Sequence, residues 1–343
     1  MIEIYQHAEE LSAEWDEVAG SNSSLRKDFL ALLERVNPCR QEYVVFRFKN
    51  KKIQAILVKY VLKIDIFCYS RFHFSLPITI IGIPCSVSEA GYSFSADVSE
   101  EGRAALKEYL TDLKGAKLIL NAAEDWDFLS FTKGFTLPSC IMEVPWRTFE
   151  EYLHSLRSHY RYQYKKAIEK GSSLSIEILQ EGFAEKHYRL YEQVYNKSLY
   201  KLEKLPIGFF REAEATITEF KKGNEPVAFV QYRIDNKRMT FLFGGLDYSL
   251  NAQYDLYQNM LLYLIRVAIE NNCVSLNLGQ TAEEMKCKLG AMQEKKYLYT
   301  HHHHKGINWL IKRFHHFFSY QVPEFNLRVF KGSGEEKVLN RKV

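Results

Sequence analysis

Cationic side chains recur every fourth residue in one stretch of this sequence: Arg157, Arg161 and Lys165. On a helix that interval puts all three on one face, beside an apolar and aromatic stripe of Leu153, Leu156, Tyr160, Tyr164 and Ile168. Such a row suits the phosphate or carboxylate of a substrate, and it equally suits a solvated helix face. Further on, the step Gly244-Gly245 is followed at once by Asp247 and Tyr248, a carboxylate and a phenol placed to face a cleft. Tyr254, Asp255 and Tyr257 then begin a helix, where Asp255 complements the helix dipole. Gln280 ends a later strand, and Lys288 stands in Lys288-Leu289-Gly290. A lysine there either neutralises a phosphate or an oxyanion, or is an exposed helix residue. Gln231 and Tyr232 alternate on a strand, so only one of them faces the cleft. Asp125-Trp126 lines the same groove or serves packing.

Other chemistries recede. The run His301-His302-His303-His304 would place His301 and His303 on one strand face and His302 and His304 on the other. With no Asp, Glu or Cys in easy local reach, the expectation is a polar strand end and no physiological metal. Cys39, Cys68, Cys85, Cys140, Cys273 and Cys287 form no Cys-x-x-Cys pair and read as reduced, mostly buried thiols. The glycine-rich nucleotide cradles and the Gly-x-Ser-x-Gly elbow are missing, which removes weight from nucleotide-cradle and serine-hydrolase chemistry.

The 343 residues, 46% hydrophobic and 26% charged, describe a globular protein with room for two domains. Forty-six basic against 42 acidic residues leave a net charge of +4. From Lys305 onward there are 8 Lys/Arg and 3 Asp/Glu, so that stretch carries +5 and everything before it −1. A near-neutral body excludes a surface built to coat nucleic acid. The start, Met1-Ile2-Glu3-Ile4, has no basic and apolar run of the secretory type, and the apolar stretches are too short or too charged to span a bilayer. The expected address is cytoplasmic.

The elements that position the polar residues follow from periodicity. Leu25, Phe29, Leu32, Leu33 and Val36 predict an amphipathic helix stopped by Pro38. Strands at 43–49 and 53–62 join across Lys49-Asn50-Lys51-Lys52, and another runs over 78–83. A helix at 100–113, a strand at 117–121, a short helix at 124–133 and a strand at 139–144 follow. After a single helix over 149–170, the order repeats: a hairpin of 227–234 and 239–244 around Asp235-Asn236-Lys237, a helix at 252–271, a strand at 274–278, a short helix at 282–289 and a strand at 296–302. The expected fold class is α/β (α+β), two copies of one hairpin-αβαβ plan. Residues 307–320 predict a helix crowding Trp309, Leu310, Phe314, Phe317 and Phe318 on one side, with Lys312, Arg313, His315 and His316 on the other. That helix docks on the body, or lies in a membrane interface.

The ordered set Leu156-Arg157-(x3)-Arg161-(x3)-Lys165-Lys166, then Phe243-Gly244-Gly245-Leu246-Asp247, then Leu278-Gly279, then Lys286-Cys287-Lys288-Leu289-Gly290 resembles the FemAB-like, BioF2-type acyltransferases of the GNAT superfamily. The likeness is clear from about 150 to 300. It implies two tandem GNAT-like domains with curved mixed sheets, 1–147 and 148–304, and a C-terminal aromatic-basic helix and tail, 305–343. It also implies an amide-forming acyltransferase that moves an acyl or aminoacyl group from acyl-CoA or aminoacyl-tRNA to an amine of a small molecule or cell-envelope precursor. No tightly bound cofactor is expected, and the donor is a co-substrate. Partners would be that acceptor, tRNA if the donor is aminoacyl, and a membrane surface. On this reading Tyr248, Asp247 and Lys288 are catalytic, Gly244, Gly245, Tyr254, Tyr257 and Gln280 hold the donor, and Arg157, Arg161, Lys165 and Gln231 hold the acceptor. The Gly245–Ala252 loop departs from the glycine-rich coenzyme A form. A non-catalytic binding module, or a peripheral membrane protein bound through the C-terminal helix, is the alternative.

Overall fold

A computed structural model describes residues 1–48, 52–65, 74–85, 88–122, 131–180, 182–201 and 203–332. Cys68, most of the 49–52 turn, the 124–130 part of the expected short helix, Asp125-Trp126 and the tail beyond 332 lie outside those residues.

The chain opens with β1 (Ile2–Tyr5), α1 (Ala13–Ala19) and α2 (Lys27–Val36), then β2 (Gln41–Arg47), β3 (Ile53–Asp65), β4 (Ser75–Ile81) and β5 (Tyr92–Phe94). Helix α3 (Glu100–Asp112), β6 (Ala116–Ala122), β7 (Thr132–Phe135) and β8 (Ser139–Glu143) follow. Next come α4 (Phe149–Ser155), α5 (Ser158–Gly171), β9 (Ser175–Ile178), α6 (Glu185–Lys197), α7 (Ile207–Glu212), β10 (Thr216–Lys222), β11 (Glu225–Asp235) and β12 (Arg238–Leu246). The last stretch holds α8 (Tyr248–Tyr254), α9 (Leu256–Glu270), β13 (Ser275–Asn277), α10 (Glu283–Lys288), β14 (Met292–Glu294), β15 (Tyr297–His302) and α11 (Lys305–Arg313).

Contacts divide the chain into two units. The first comprises Met1–Leu137, Leu199–Ala213 and Lys295–Val322; the second comprises Pro138–Ser198, Glu214–Glu294 and Pro323–Val343. Each is built on a mixed sheet. The first runs β1-β2-β3-β4-β6-β15-β7, with β5 added beside β3, and the second runs β9-β10-β11-β12-β13-β8-β14. Strand for strand the two orders correspond, each with one parallel pair in the middle, β4 with β6 and β12 with β13. The sixth strand comes from out of turn in both. Strand β8 follows β7 in the chain yet pairs in the second sheet, and β15 follows β14 yet pairs in the first.

Local chemistry accounts for the parts. The β11–β12 hairpin closes over Asn236 and Lys237, both left-handed (φ 47° and 60°), the two-residue turn that matches strand twist. Helix α9 is apolar nearly all round, from Leu256 through Ile269, and is the centre of the second unit's core. The five described cysteines are free thiols, all buried except the partly exposed Cys39.

Several expectations about helices need correction: the helix expected over 307–320 ends at Arg313 and is followed by a single 3-10 turn at His315–Phe317, and residues 132–133 of the helix expected over 124–133 lie in β7. The single helix expected over 149–170 is two helices. Leu156 and Arg157 are extended between α4 and α5 because the stretch around Val329 and Phe330 pairs there: Arg157 N–H donates to the Val329 carbonyl (2.9 Å) and Lys331 N–H to that of Ser155 (2.8 Å). The helix expected over 252–271 likewise breaks, at left-handed Asp255 (φ 44°), into α8 and α9.

Candidate active site

In the second unit the sheet opens. Strands β12 and β13 pair in parallel for three residues only, Arg238 with Ser275 to Thr240 with Asn277. Beyond Thr240, β12 continues through Leu246 paired with β11 alone, and no described strand continues the ladder on its other edge. A bulge marks the parting: Gln231 faces Phe243 and Tyr232 faces Phe241, which leaves Leu242 as the extra residue. Bulges of this kind re-aim backbone groups and side chains beside functional sites.

On the β13 side the chain turns through three left-handed residues, Gly279 (φ 73°), Thr281 (64°) and Ala282 (48°). Two of these are not glycine, so the turn stores on the order of 1 kcal/mol at each and is held by its surroundings. Its centre is Lys286. This lysine on α10 is buried, and its Nζ donates to the Gln280 carbonyl oxygen (2.7 Å). Burial, partly offset by Cys140, Glu283 and Cys287, pulls its ammonium down to about 8. Buried Glu283 accepts from the Gln293 amide (2.6 Å). The Cys140 and Cys287 thiols share a hydrogen bond; that hydrogen bond and burial push Cys140 up, and the same hydrogen bond lowers Cys287.

Two tyrosines and one glycine hold α10 in place. The Tyr152 hydroxyl donates to the Leu289 carbonyl (3.0 Å) and the Tyr164 hydroxyl to that of Lys288. Gly290 lies at φ 103°, and a Cβ there would meet the Phe330 ring at 2.2 Å. The Lys-Leu-Gly glycine is thus required by its left-handed φ and by an aromatic ring packed against the backbone.

On the other side of the opening, Asp247 caps α8 by accepting from the Ser249 amide (2.9 Å) and hydroxyl (2.7 Å). Tyr248 follows. Its amide donates to the Gln193 side chain (3.3 Å), and the Lys197 ammonium lies 3.8 Å from its ring centre. Burial raises its phenol, so it is a proton donor at neutral pH. At the start of α9, Tyr257 donates its amide to Asn251 (3.0 Å) while Lys170 pairs with Asp255 (3.0 Å). Burial raises the Tyr257 phenol first, then the neighbouring Cys140 and Tyr248. Tyr248, Tyr257, Cys140 and Lys286 therefore form one electrostatic neighbourhood across the parted strands.

The expected site residues divide accordingly. Tyr248, Tyr257 and the Gln280 carbonyl belong to that neighbourhood. Gln231 is fully buried beside the bulge, with neither amide atom hydrogen-bonded to a described residue. Lys288 pairs with Glu284 (2.7 Å) on the helix surface, Asp247 is taken up in capping, and Tyr254 is packed in the core under Lys222. The two glycines serve packing. A Cβ on Gly245 would meet the Phe229 ring at 2.4 Å and the Tyr191 amide at 2.5 Å, because α6 lies against β12. One on Gly244 would meet Met260 at 2.8 Å. Arg157 is exposed at the α4–α5 break and donates to the Phe330 carbonyl (3.4 Å); Lys165 is 3.7 Å from Glu150, and Arg161 is half-buried. Sequence reasoning missed Lys286, the thiol pair and α6 with Gln193 and Lys197. A signal for Lys286 was present: it stands one helical turn from Ala282 and from buried Leu289.

His301 is buried and stacked on Phe131 (4.5 Å between ring centres), and no group of three or more His, Cys, Asp or Glu side chains able to hold a metal occurs among the described residues.

Comparison with known proteins gives the class. Residues 154–287 match the family described as acetyltransferase (GNAT) domain, a span that includes the bulge, Tyr248, Tyr257 and Lys286. The match over that span supports an amide-forming acyltransferase. Its fold is similar to that of FemX (10% identity, TM-score 0.54, 90% of this chain and 100% of that one). It is also similar to L-PGS from Bacillus licheniformis (12%, 0.51, 84% and 95%) and to the C-terminal domain of a putative lysylphosphatidylglycerol synthetase from Agrobacterium fabrum (11%, 0.51, 86% and 92%). No curated protein matches the sequence.

Proposed function

We propose that the protein transfers an acyl or aminoacyl group, from a thioester such as acyl-CoA or from aminoacyl-tRNA, to an amine on a small molecule or cell-envelope precursor, at the opening between β12 and β13. The observation that carries this reading is Lys286, a buried cation on α10 hydrogen-bonded to a strained turn where the sheet parts. When the amine attacks the acyl carbonyl, negative charge gathers on its oxygen. A cation already desolvated and fixed stabilises that charge without reorganising water. Backbone N–H groups on the free edge of β12 beyond Thr240 serve as additional donors. The Tyr248 phenol, kept protonated by burial, supplies a proton to the leaving thiolate or ribose oxygen and is restored, through solvent, by the proton that the attacking amine nitrogen loses. Gln231 gives the acceptor a donor and an acceptor atom at a site where both are unmet. Arg161 and Lys165 on α5 offer charge to anionic parts of either substrate.

The test is transfer from acetyl-CoA, longer acyl-CoA thioesters and charged tRNA to a panel of amines, read by mass spectrometry of the product. Amide product with one donor class, lost in Lys286→Met, is the expected result. A folded protein that neither binds nor consumes any of the three donor classes overturns the proposal.

A further inference from the structure

The sequence expects helix α11 either to dock on the body through its apolar side chains or to lie in a membrane interface, and the structure leaves those side chains largely open. None of its residues is buried. Ile307, Leu310 and Phe314, at the end of the helix, are 43%, 47% and 43% exposed, and Trp309 is 64% exposed. At about 100° per residue, Ile307, Leu310 and Ile311 share one face while Lys305, Trp309, Lys312 and Arg313 occupy the other. Trp309 is therefore on the basic side, apart from Leu310. A nine-residue helix is too short to be stable by propensity, so an open apolar face on it marks a surface awaiting a partner.

We propose that α11 and the aromatic turn after it lay the protein on an anionic lipid surface. The helix spans roughly 14 Å and offers three or four apolar side chains, far short of the approximately 800 Å² per partner of a standard protein interface. A lipid boundary requires little area. The apolar face enters the acyl region, the cations meet the headgroup phosphates, and the indole of Trp309 lies among those cations at headgroup level. The +5 charge of the stretch from Lys305 onward, against −1 for the rest, complements that surface. This inference does not depend on the proposed chemistry.

The test is co-sedimentation of the full chain with vesicles of phosphatidylcholine and phosphatidylglycerol, and with phosphatidylcholine alone, at low and high salt. The expected result is binding to the mixed vesicles that weakens with salt and is at least 10-fold weaker to phosphatidylcholine alone. The double variant Leu310→Glu/Phe314→Glu should weaken binding at least 10-fold, and Lys312→Glu/Arg313→Glu comparably, with circular dichroism melts unchanged because the replaced side chains are exposed. Absence of vesicle binding overturns the proposal, as does binding that ignores either pair of substitutions or the lipid charge. A concentration-dependent dimer without vesicles, dissolved by the same apolar substitutions, overturns it in favour of a second copy. Transfer to a soluble amine is measured in parallel. Its persistence in both variants separates this surface from the active site.

Discussion

Lys286 and Lys288 lie two residues apart in opposite circumstances. Lys286 is buried against the Gln280 carbonyl, while Lys288 reaches across one turn to Glu284 in solvent. Lys286→Met should lower kcat by on the order of 100-fold, the scale of losing one oxyanion-stabilising group, while Lys288→Ala changes it by less than about 2-fold. With its ammonium pulled down to about 8, the wild type should show a falling limb in kcat/KM near pH 8 that Lys286→Met abolishes. Stability has its own sign: the unfolded lysine still binds its proton between about 8 and the ordinary 10.5, so this group makes the protein more stable as pH rises through that window. His301 behaves similarly at the acid end. Burial, with Lys117 and its neighbouring histidines, pulls it down to about 4. Between pH 6.5 and 4 the unfolded state takes up the proton first, so about 3 kcal/mol of stability is lost as pH falls. Urea melts at pH 7 and pH 4 should show that loss reduced in His301→Phe.

Among the elements, close backbone approach does the positioning. Gly245→Ala would drive a methyl into the Phe229 ring and the α6 backbone, and should cost about 2 kcal/mol or more in a urea melt. Gly182→Ala, with open space around it, is the control and should stay within about 0.5 kcal/mol. Hairpin β11–β12, helix α9 and the strands beside it were legible in the sequence because turn residues and apolar period act within a few residues of themselves. Other features depend on distant partners. The α4–α5 break exists because the segment around Phe330 pairs with Leu156, and nothing near Leu156 announces it. Which lysine of Lys286-Cys287-Lys288 turns inward depends on the rotation of a six-residue helix, and that is set by Tyr152 and Tyr164 more than a hundred residues earlier.

At the scale of the molecule, the two sheets share one strand order and each takes its sixth strand from out of turn. In the first sheet β15 sits between β6 and β7, pairing with both. A fragment ending at residue 147 therefore lacks an interior strand and leaves the edges of β6 and β7 unpaired. It should be aggregated or unfolded by circular dichroism and by size-exclusion chromatography, whereas the full chain is folded. The sequence by itself determined the α/β plan, the likeness of residues 154–287 to a GNAT acetyltransferase domain and the basic, aromatic C-terminal helix, because each is carried by local period, composition or an ordered motif. Only the tertiary structure decided which strand completes which sheet, which lysine is desolvated, and that the apolar face of α11 is left open. Those outcomes depend on contacts between residues far apart in the chain, where apolar strands of like pattern, or neighbouring lysines of like charge, are told apart only by what packs against them.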